Sequence, residues 1–152
     1  MTATLDQEAA EAIRAHHVNL HDALRVRVLD LQAAVRAGRP HAAALESVSS
    51  YLEDELLPHA IAEERALYPA GDTGLTALLV RAMGEEHKGL IARVDSLRTA
   101  ADGIEAAITA GAILALFESH LWKENELLVP AFVADPSVSL SDLLSGMHEL
   151  VG

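Results

Sequence analysis

The sequence predicts an all-α protein, an up-down-up-down bundle of four long helices followed by a short C-terminal fifth helix. Apolar residues recur every three or four positions through long segments, and no segment shows the alternation of a half-buried strand. Hydrophobic residues make up 51% of the 152 residues but aromatic residues only 3%, and small aliphatic side chains suit close helix packing. We therefore expect a single domain over residues 1–152, with the bundle at about 4–134 and the fifth helix at about 139–150.

The first helix is expected to begin at Thr4, where Gln7 completes a capping box, and to end near Ala37. The Gly-Arg-Pro sequence at 38–40 breaks the pattern there. The apolar stripe of this helix has a period close to 3.6 residues and consists of Ile13, Leu20, Leu24, Val28, Leu31 and Val35. Such a stripe indicates that one face of the helix is buried against its neighbours.

The second helix is expected to start just after Pro40 and to run to about Leu67. The inward positions are Leu45, Val48, Leu52 and Leu56. Pro58 lies inside this pattern, where a proline removes one backbone hydrogen bond. We expect a kink just before His59.

The third helix is expected over about 75–101, with Asp72 or Thr73 as its cap, and the fourth over about 104–134. Their inward positions are Leu79, Met83, Leu90, Val94 and Leu97 on the third helix, and Ile113, Phe117 and Leu127 on the fourth. The fifth helix, capped by Ser139 or Ser141, is expected to fold back and cover the bundle.

Charge and composition exclude several classes of function. The chain has 11 Lys and Arg against 23 Asp and Glu, a net charge of −12, which argues against nucleic acid and anionic membranes as partners. No uninterrupted apolar stretch approaches the ~18–20 residues of a membrane span. Without cysteine, the chain has no disulfide, thiolate zinc site or cysteine-ligated iron–sulfur cluster. The N-terminal segment lacks the features of a signal peptide, so we expect a cytoplasmic protein.

One short motif occurs twice. His59 and Glu63 lie four residues apart, and His120 and Glu124 repeat the pair, each followed by leucine and proline in the same register. An i, i+4 pair places an imidazole and a carboxylate on one helix face. Two such pairs on different helices of a bundle can hold metal ions between them.

Polar residues continue the apolar stripes of all four long helices. These six candidate ligands are His17, His59, Glu63, His87, His120 and Glu124. A dry, isolated carboxylate costs several kcal/mol or takes up a proton. A metal ion removes this cost, and imidazole is a good ligand for iron, manganese or zinc. A single histidine on an apolar face is more often a hydrogen-bonded core residue, but six candidates on four helices favour a metal site.

Several neighbouring residues have a simpler interpretation. Glu64 lies one residue off the stripe and is expected to be solvated. Glu86, which flanks His87, could accept a hydrogen bond from an imidazole N–H, or lie at the surface. Tyr68 could be a phenolate ligand, but packing is favoured, and Trp122 is expected to pack at a helix interface.

At these motifs the chain resembles the hemerythrin-like, or HHE cation-binding, family. The resemblance extends from about Ile13 to Pro130, and the motifs that carry it are His17-x2-Leu20, Pro58-His59-x3-Glu63-Glu64-x2-Leu67-Tyr68-Pro69, Glu86-His87-x2-Leu90 and His120-x3-Glu124-Asn125-x2-Leu128-Val129-Pro130. It implies a non-haem di-iron centre in a four-helix bundle, with the six candidates as ligands and the two glutamates bridging the ions.

The chain departs from the oxygen carriers of that family at two positions. The carriers have a His-x3-His pair on the third helix, whereas Ile91 lies four residues after His87 here. They also have a carboxylate five residues after the fourth-helix histidine, where this chain has Asn125. Oxygen carriage of the invertebrate type is therefore not expected. Four residues after His17, His21 is hypothesised as a fifth imidazole ligand, with His16 as the other possibility.

Three functions remain open on the sequence alone. The first is a di-iron protein that binds or reduces small oxygen or nitrogen species such as O2, NO or peroxide. The second is iron sequestration without turnover, and the third is a metal-free helical interaction module. Zinc, manganese or nickel could replace iron at such ligands, and the sequence does not identify a redox or signalling partner.

Overall fold

Five helices make up the computed structural model, which describes residues 2–151, and no strand occurs in that range. The helices are α1 (Thr2–Arg36), α2 (residues 42–71), α3 (Ala77–Arg98), α4 (Gly103–Ala134) and α5 (Leu140–Val151). The expectation of an all-α protein is confirmed. Met1 and Gly152, the ends of the expected domain, lie outside the described residues.

Helix α1 ends at the expected glycine, but it does not begin at the expected cap. Gly38 adopts a left-handed φ of 64° after α1, and Arg39 donates its N–H to the carbonyl of Ala34 at 2.9 Å, which closes a Schellman motif. Thr4 is not a cap, because helical hydrogen bonding already includes Thr2.

The start of α3 also differs from the expectation. A 3-10 turn at Gly74–Thr76 precedes the helix, so neither Asp72 nor Thr73 caps it. Thr76 takes the cap position instead, without a side-chain bond to the helix N–H groups. At the next junction Asp102 caps α4 by accepting the N–H of Glu105 at 2.8 Å.

Three segments of wider π-helix interrupt the two helices that carry the repeated motif. They are Leu52–Leu56 and Glu63–Leu67 in α2, and Glu124–Leu128 in α4. Each ends two residues before a proline, namely Pro58, Pro69 and Pro130. A proline inside an α-helix clashes with the carbonyl four residues before it, and the wider turn accommodates the ring. The disturbance expected at Pro58 takes this form.

The π segment in α4 changes which side chains face inward. Leu128 is fully buried, whereas Leu127, which the regular period places inward, is 45% exposed. The N–H of Val129 bonds to the carbonyl of Glu124, five residues back, and this extra residue per turn shifts the register. The expected inward position of Leu127 was therefore wrong.

The buried apolar residues form two clusters, one on each side of the candidate ligands. Along α1 the ligand His17 lies between Ile13 of one cluster and Leu20 of the other. Along α3, His87 lies in the same way between Met83 and Leu90. The candidate ligands therefore form a polar layer between two apolar cores.

Helix α5 packs against α1 and against the second half of α2. Leu140 is fully buried and Met147 is 6% exposed. The buried carboxylate of Asp6 accepts the backbone N–H of Ser141 at 3.0 Å, which fixes the start of α5 to α1.

Helix α4 is the most apolar of the long helices. Its mean hydropathy reaches 1.4 over 18 residues, and by length and composition alone it could cross a membrane, although 33% of that window is buried in the bundle. Core helices of soluble proteins pass the same test. Trp122, expected at a helix interface, is 59% exposed on this helix.

Candidate metal centre

The structure brings the side chains of the six candidate residues together in the interior. Helix α1 supplies His17, α2 supplies His59 and Glu63, α3 supplies His87, and α4 supplies His120 and Glu124. All six are buried, with exposed fractions of 8% for His59 and 2% or less for the others. The apolar stripes therefore predicted the direction of these side chains correctly.

These six residues form two overlapping groups. The first half-site comprises His17 and His59, the second half-site comprises His87 and His120, and both glutamates belong to each group. Within each group, one donor atom from each residue lies within 4.8 Å of all the others. Each group could therefore hold a metal ion.

Each imidazole directs its Nε2 atom toward a shared carboxylate. The Nε2 atoms of His17 and His120 lie 3.1 and 2.8 Å from oxygens of Glu124. The Nε2 atoms of His59 and His87 lie 3.5 and 3.6 Å from Oε1 of Glu63. The donor atoms thus converge between the helices.

Four side-chain atoms of these six residues are buried without a hydrogen-bond partner among the described residues. They are His59 Nε2, Glu63 Oε2, His120 Nδ1 and Glu124 Oε2, although an unpaired buried polar group costs about 1–3 kcal/mol. A divalent cation accepts lone pairs from imidazole and carboxylate together. The donor set therefore fits a metal centre better than it fits a self-contained hydrogen-bond network.

Tyr68 lies among the candidate ligands, although packing was favoured over a phenolate ligand as its role. Its hydroxyl group donates to Glu124 Oε1 at 2.6 Å and lies 3.0 Å from His120 Nε2 and 3.3 Å from His87 Nε2. Burial, together with the charges of Glu63 and Glu124, raises the pKa of Tyr68, so the phenol keeps its proton. The hydroxyl is therefore a hydrogen-bond donor inside the second half-site.

The outward-facing nitrogens of two imidazoles have hydrogen-bond partners. His17 Nδ1 lies 2.7 Å from Asn125 Oδ1, and His87 Nδ1 lies 2.9 Å from Glu64 Oε1. Glu64 is 45% exposed as expected, but its carboxylate reaches the buried ring.

Glu86 approaches the imidazole of His120. Its Oε2 lies 3.8 Å from His120 Nδ1, while its Oε1 accepts from Lys123 Nζ at 2.7 Å. Neighbours in sequence point in different directions on a helix, so Glu86 faces α4 and not His87 beside it.

The structure does not bring His21 to the centre, and His21 belongs to neither group. Its Nε2 bonds to Glu118 Oε1 at 2.8 Å and its Nδ1 to Asp22 Oδ1 at 3.1 Å. These two exposed carboxylates hold the ring at the surface between α1 and α4. The other possibility, His16, is exposed, and its ring centroid lies 5.0 Å from that of His59.

The charges of the metal-free centre balance through protonated histidine. Burial lowers the pKa of His17, but the hydrogen bond and charge of Glu124 outweigh this effect and raise it to about 9. Burial likewise raises the pKa of Glu124, but hydrogen bonds from His120 and His17 hold it well below its usual range. Without metal, His17 and Glu124 therefore form a buried ion pair at neutral pH.

The metal-free protein is accordingly expected to lose stability as pH rises from about 6.5 to above 9. His17 has a folded pKa of about 9 against an ordinary value of 6.5, so its contribution is complete below pH 6.5 and lost through pH 9. The loss should be on the order of 2–3 kcal/mol. Urea denaturation of metal-free protein at pH 6.5 and 9.5 measures it, and His17→Gln should flatten the dependence. Greater stability at pH 9.5 would show that His17 is unprotonated.

A cavity of about 160 Å³ opens beside the first half-site. His17, His59 and Glu63 border it on one side, and Leu144 and Met147 of α5 border it on the other. Its lining is mainly apolar. Small uncharged molecules fit such a space better than ions do.

Comparison with known proteins agrees with this geometry. The family model described as the hemerythrin HHE cation-binding domain matches residues 8–149, which includes α2, α3 and α4 completely and most of α1 and α5. No curated protein and no solved structure matches the chain.

Proposed function

This chain belongs to the hemerythrin HHE cation-binding family, and on that premise we propose that it is a non-haem di-iron protein that binds or reduces O2, NO or peroxide. In this proposal one cytoplasmic domain forms an up-down-up-down four-helix bundle covered by α5. The observation that carries the proposal is the pair of buried His2Glu2 groups that share both carboxylates.

The donor count supports a reactive centre over a closed structural one. Each group supplies two imidazoles and shares two carboxylates, so each ion would have about four protein donors. Octahedral iron would keep positions for small exogenous ligands, and when bound it supplies redox chemistry at those positions. Zinc, manganese and nickel accept the same donors, so metal identity is part of the proposal.

The chain's own residues would control what reaches these positions. The apolar residues that surround the centre exclude bulk water and limit uncontrolled oxidation. The protonated hydroxyl of Tyr68 points at the donor atoms of the second half-site and can donate a hydrogen bond there. The small cavity beside the first half-site supports a diatomic or peroxide ligand.

Filling that cavity is expected to slow ligand binding at least tenfold without loss of metal. Leu144→Trp replaces an aliphatic side chain with a larger indole ring in the space between α5 and His59. Stopped-flow mixing of the reduced, metal-loaded variant with O2 or NO measures the rate. Leu78→Trp is the matched control, because Leu78 is 80% exposed and does not border the cavity. Equal rates in the two variants would show that ligands use another route.

Metal analysis and reactivity together test the proposed function. Protein purified from an iron-replete host should contain about two irons per chain, and the reduced form should react with O2, NO or peroxide. Iron that is retained and released without any such reaction would favour sequestration, the second candidate. Protein that folds fully and takes up no transition metal would instead be an interaction module.

A further inference from the structure

The two half-sites differ in what lies behind their imidazoles. In the first half-site, His17 Nδ1 faces the neutral amide oxygen of Asn125 at 2.7 Å. In the second half-site, His87 Nδ1 faces the carboxylate of Glu64 at 2.9 Å. The carboxylate of Glu86 lies 3.8 Å from Nδ1 of His120, which is too far for a hydrogen bond. The outer histidine nitrogen is thus bonded to an amide in the first half-site and to an acid in the second.

An acid behind a ligating histidine makes the ring a stronger donor. A carboxylate that accepts the outer N–H raises the basicity of the inner nitrogen, and loss of such a partner typically costs 10–100-fold in metal affinity. An amide oxygen orients the ring in the same way but adds no negative charge. His87 of the second half-site is therefore a more strongly donating imidazole than His17 of the first.

Nearby cations increase the difference. The guanidinium of Arg14 donates to the backbone carbonyl of Asn125 at 3.2 Å, which places a positive charge beside the first half-site. Beside the second half-site, Lys123 pairs with Glu86 at 2.7 Å, and the carboxylate of Glu64 bonds to His87. Both the hydrogen bonds and the charges thus favour a cation in the second half-site.

We propose that the half-sites take up divalent metal in a fixed order, the second at least tenfold more tightly than the first, and that Asn125 sets this difference. The inference rests on the proposed function only in requiring that both half-sites bind metal. Asn125 is a positioning residue, since it acts on the ion through His17. The first half-site, which also borders the cavity, then holds the more exchangeable ion.

Isothermal titration calorimetry of the metal-free full chain with Fe²⁺, under anaerobic conditions, tests the order of binding. We expect two resolved steps of one ion each. Asn125→Asp retains the hydrogen bond to His17 and adds the missing charge, so the weaker step should tighten about tenfold and approach the stronger one. Asn19→Asp is the matched control, because it makes the same chemical change at an exposed position of α1.

Glu64→Gln tests the same difference from the other side. Glu64 is 45% exposed, so the variant should fold, and the tighter step should weaken about tenfold. Glu126→Gln, an exposed position on α4, is its control. Two equal steps in the wild type, or Asn125→Asp and Glu64→Gln behaving like their controls, would overturn the inference. Absence of binding in every protein would instead overturn the proposed function.

Discussion

Glu124→Gln protein is expected to retain less than one iron per chain while remaining folded. Glu124 belongs to both groups and is fully buried. Its Oε1 lies 2.8 Å from His120 Nε2, and its Oε2 lies 3.1 Å from His17 Nε2. The amide keeps the shape of the side chain but removes the charge that two ions would share, and its NH2 group faces an imidazole as a donor. Metal affinity should fall at least about 100-fold, because the proposed function makes this residue a direct ligand and even outer partners account for 10–100-fold.

The control for this variant lies on the same helix. Glu118→Gln makes the same chemical change where the carboxylate contacts only His21 at the surface. Elemental analysis after desalting should find about two irons per chain in Glu118→Gln, as in the wild type. Full iron content in Glu124→Gln would show that this carboxylate does not bridge the ions. Iron loss in Glu118→Gln would restore His21 as a ligand candidate.

Metal binding is expected to raise the melting temperature by roughly 15–30 °C, the second large effect. The metal-free centre buries three unpaired atoms that could ligate a metal, His59 Nε2, Glu63 Oε2 and Glu124 Oε2, and cations that bind only the folded chain would satisfy them. Each ion at a thousand times its Kd adds about 4 kcal/mol. For a domain of this size, one kcal/mol shifts Tm by about 2–4 °C.

Thermal unfolding under anaerobic conditions, with and without Fe²⁺, measures this shift. Mg²⁺ serves as the control ion because it prefers oxygen ligands, and it should leave Tm almost unchanged. Fe²⁺ should also fail to stabilise Glu124→Gln. An equal rise in that variant would place the stabilising ion somewhere other than the buried centre.

The six candidate ligands could be predicted because they obey the same periodicity as the apolar core. His17 continues the stripe of Ile13 and Leu20, and His87 that of Met83 and Leu90, so a regular helix is sufficient to place them inside. His21 shows where this reasoning fails. Its spacing from His17 suits a shared ligand face, but the position of Glu118 on a neighbouring helix decides where the ring lies, and one helix alone does not contain that information.

Tyr68 could not be predicted because it depends on a π segment. At ~100° per residue, the five residues from Glu63 to Tyr68 would place them about 140° apart on a regular helix. The N–H of Tyr68 bonds instead to the carbonyl of Glu63, and the wider turn returns Tyr68 to nearly the same face. The one sequence signal is the proline that follows each π segment by two residues, as Pro69 does here.

The separation of the apolar interior into two cores has a consequence for how the fold opens. The polar layer of candidate ligands interrupts contact between the cores, so each can loosen as a cooperative unit of its own. Ions held by residues that together come from all four long helices would link these two units. Without the ions, the end of the bundle that contains α5 would unfold first, since α5 is short and lies at the surface of that unit. Occupancy of the centre would then determine whether the domain unfolds in one transition or two.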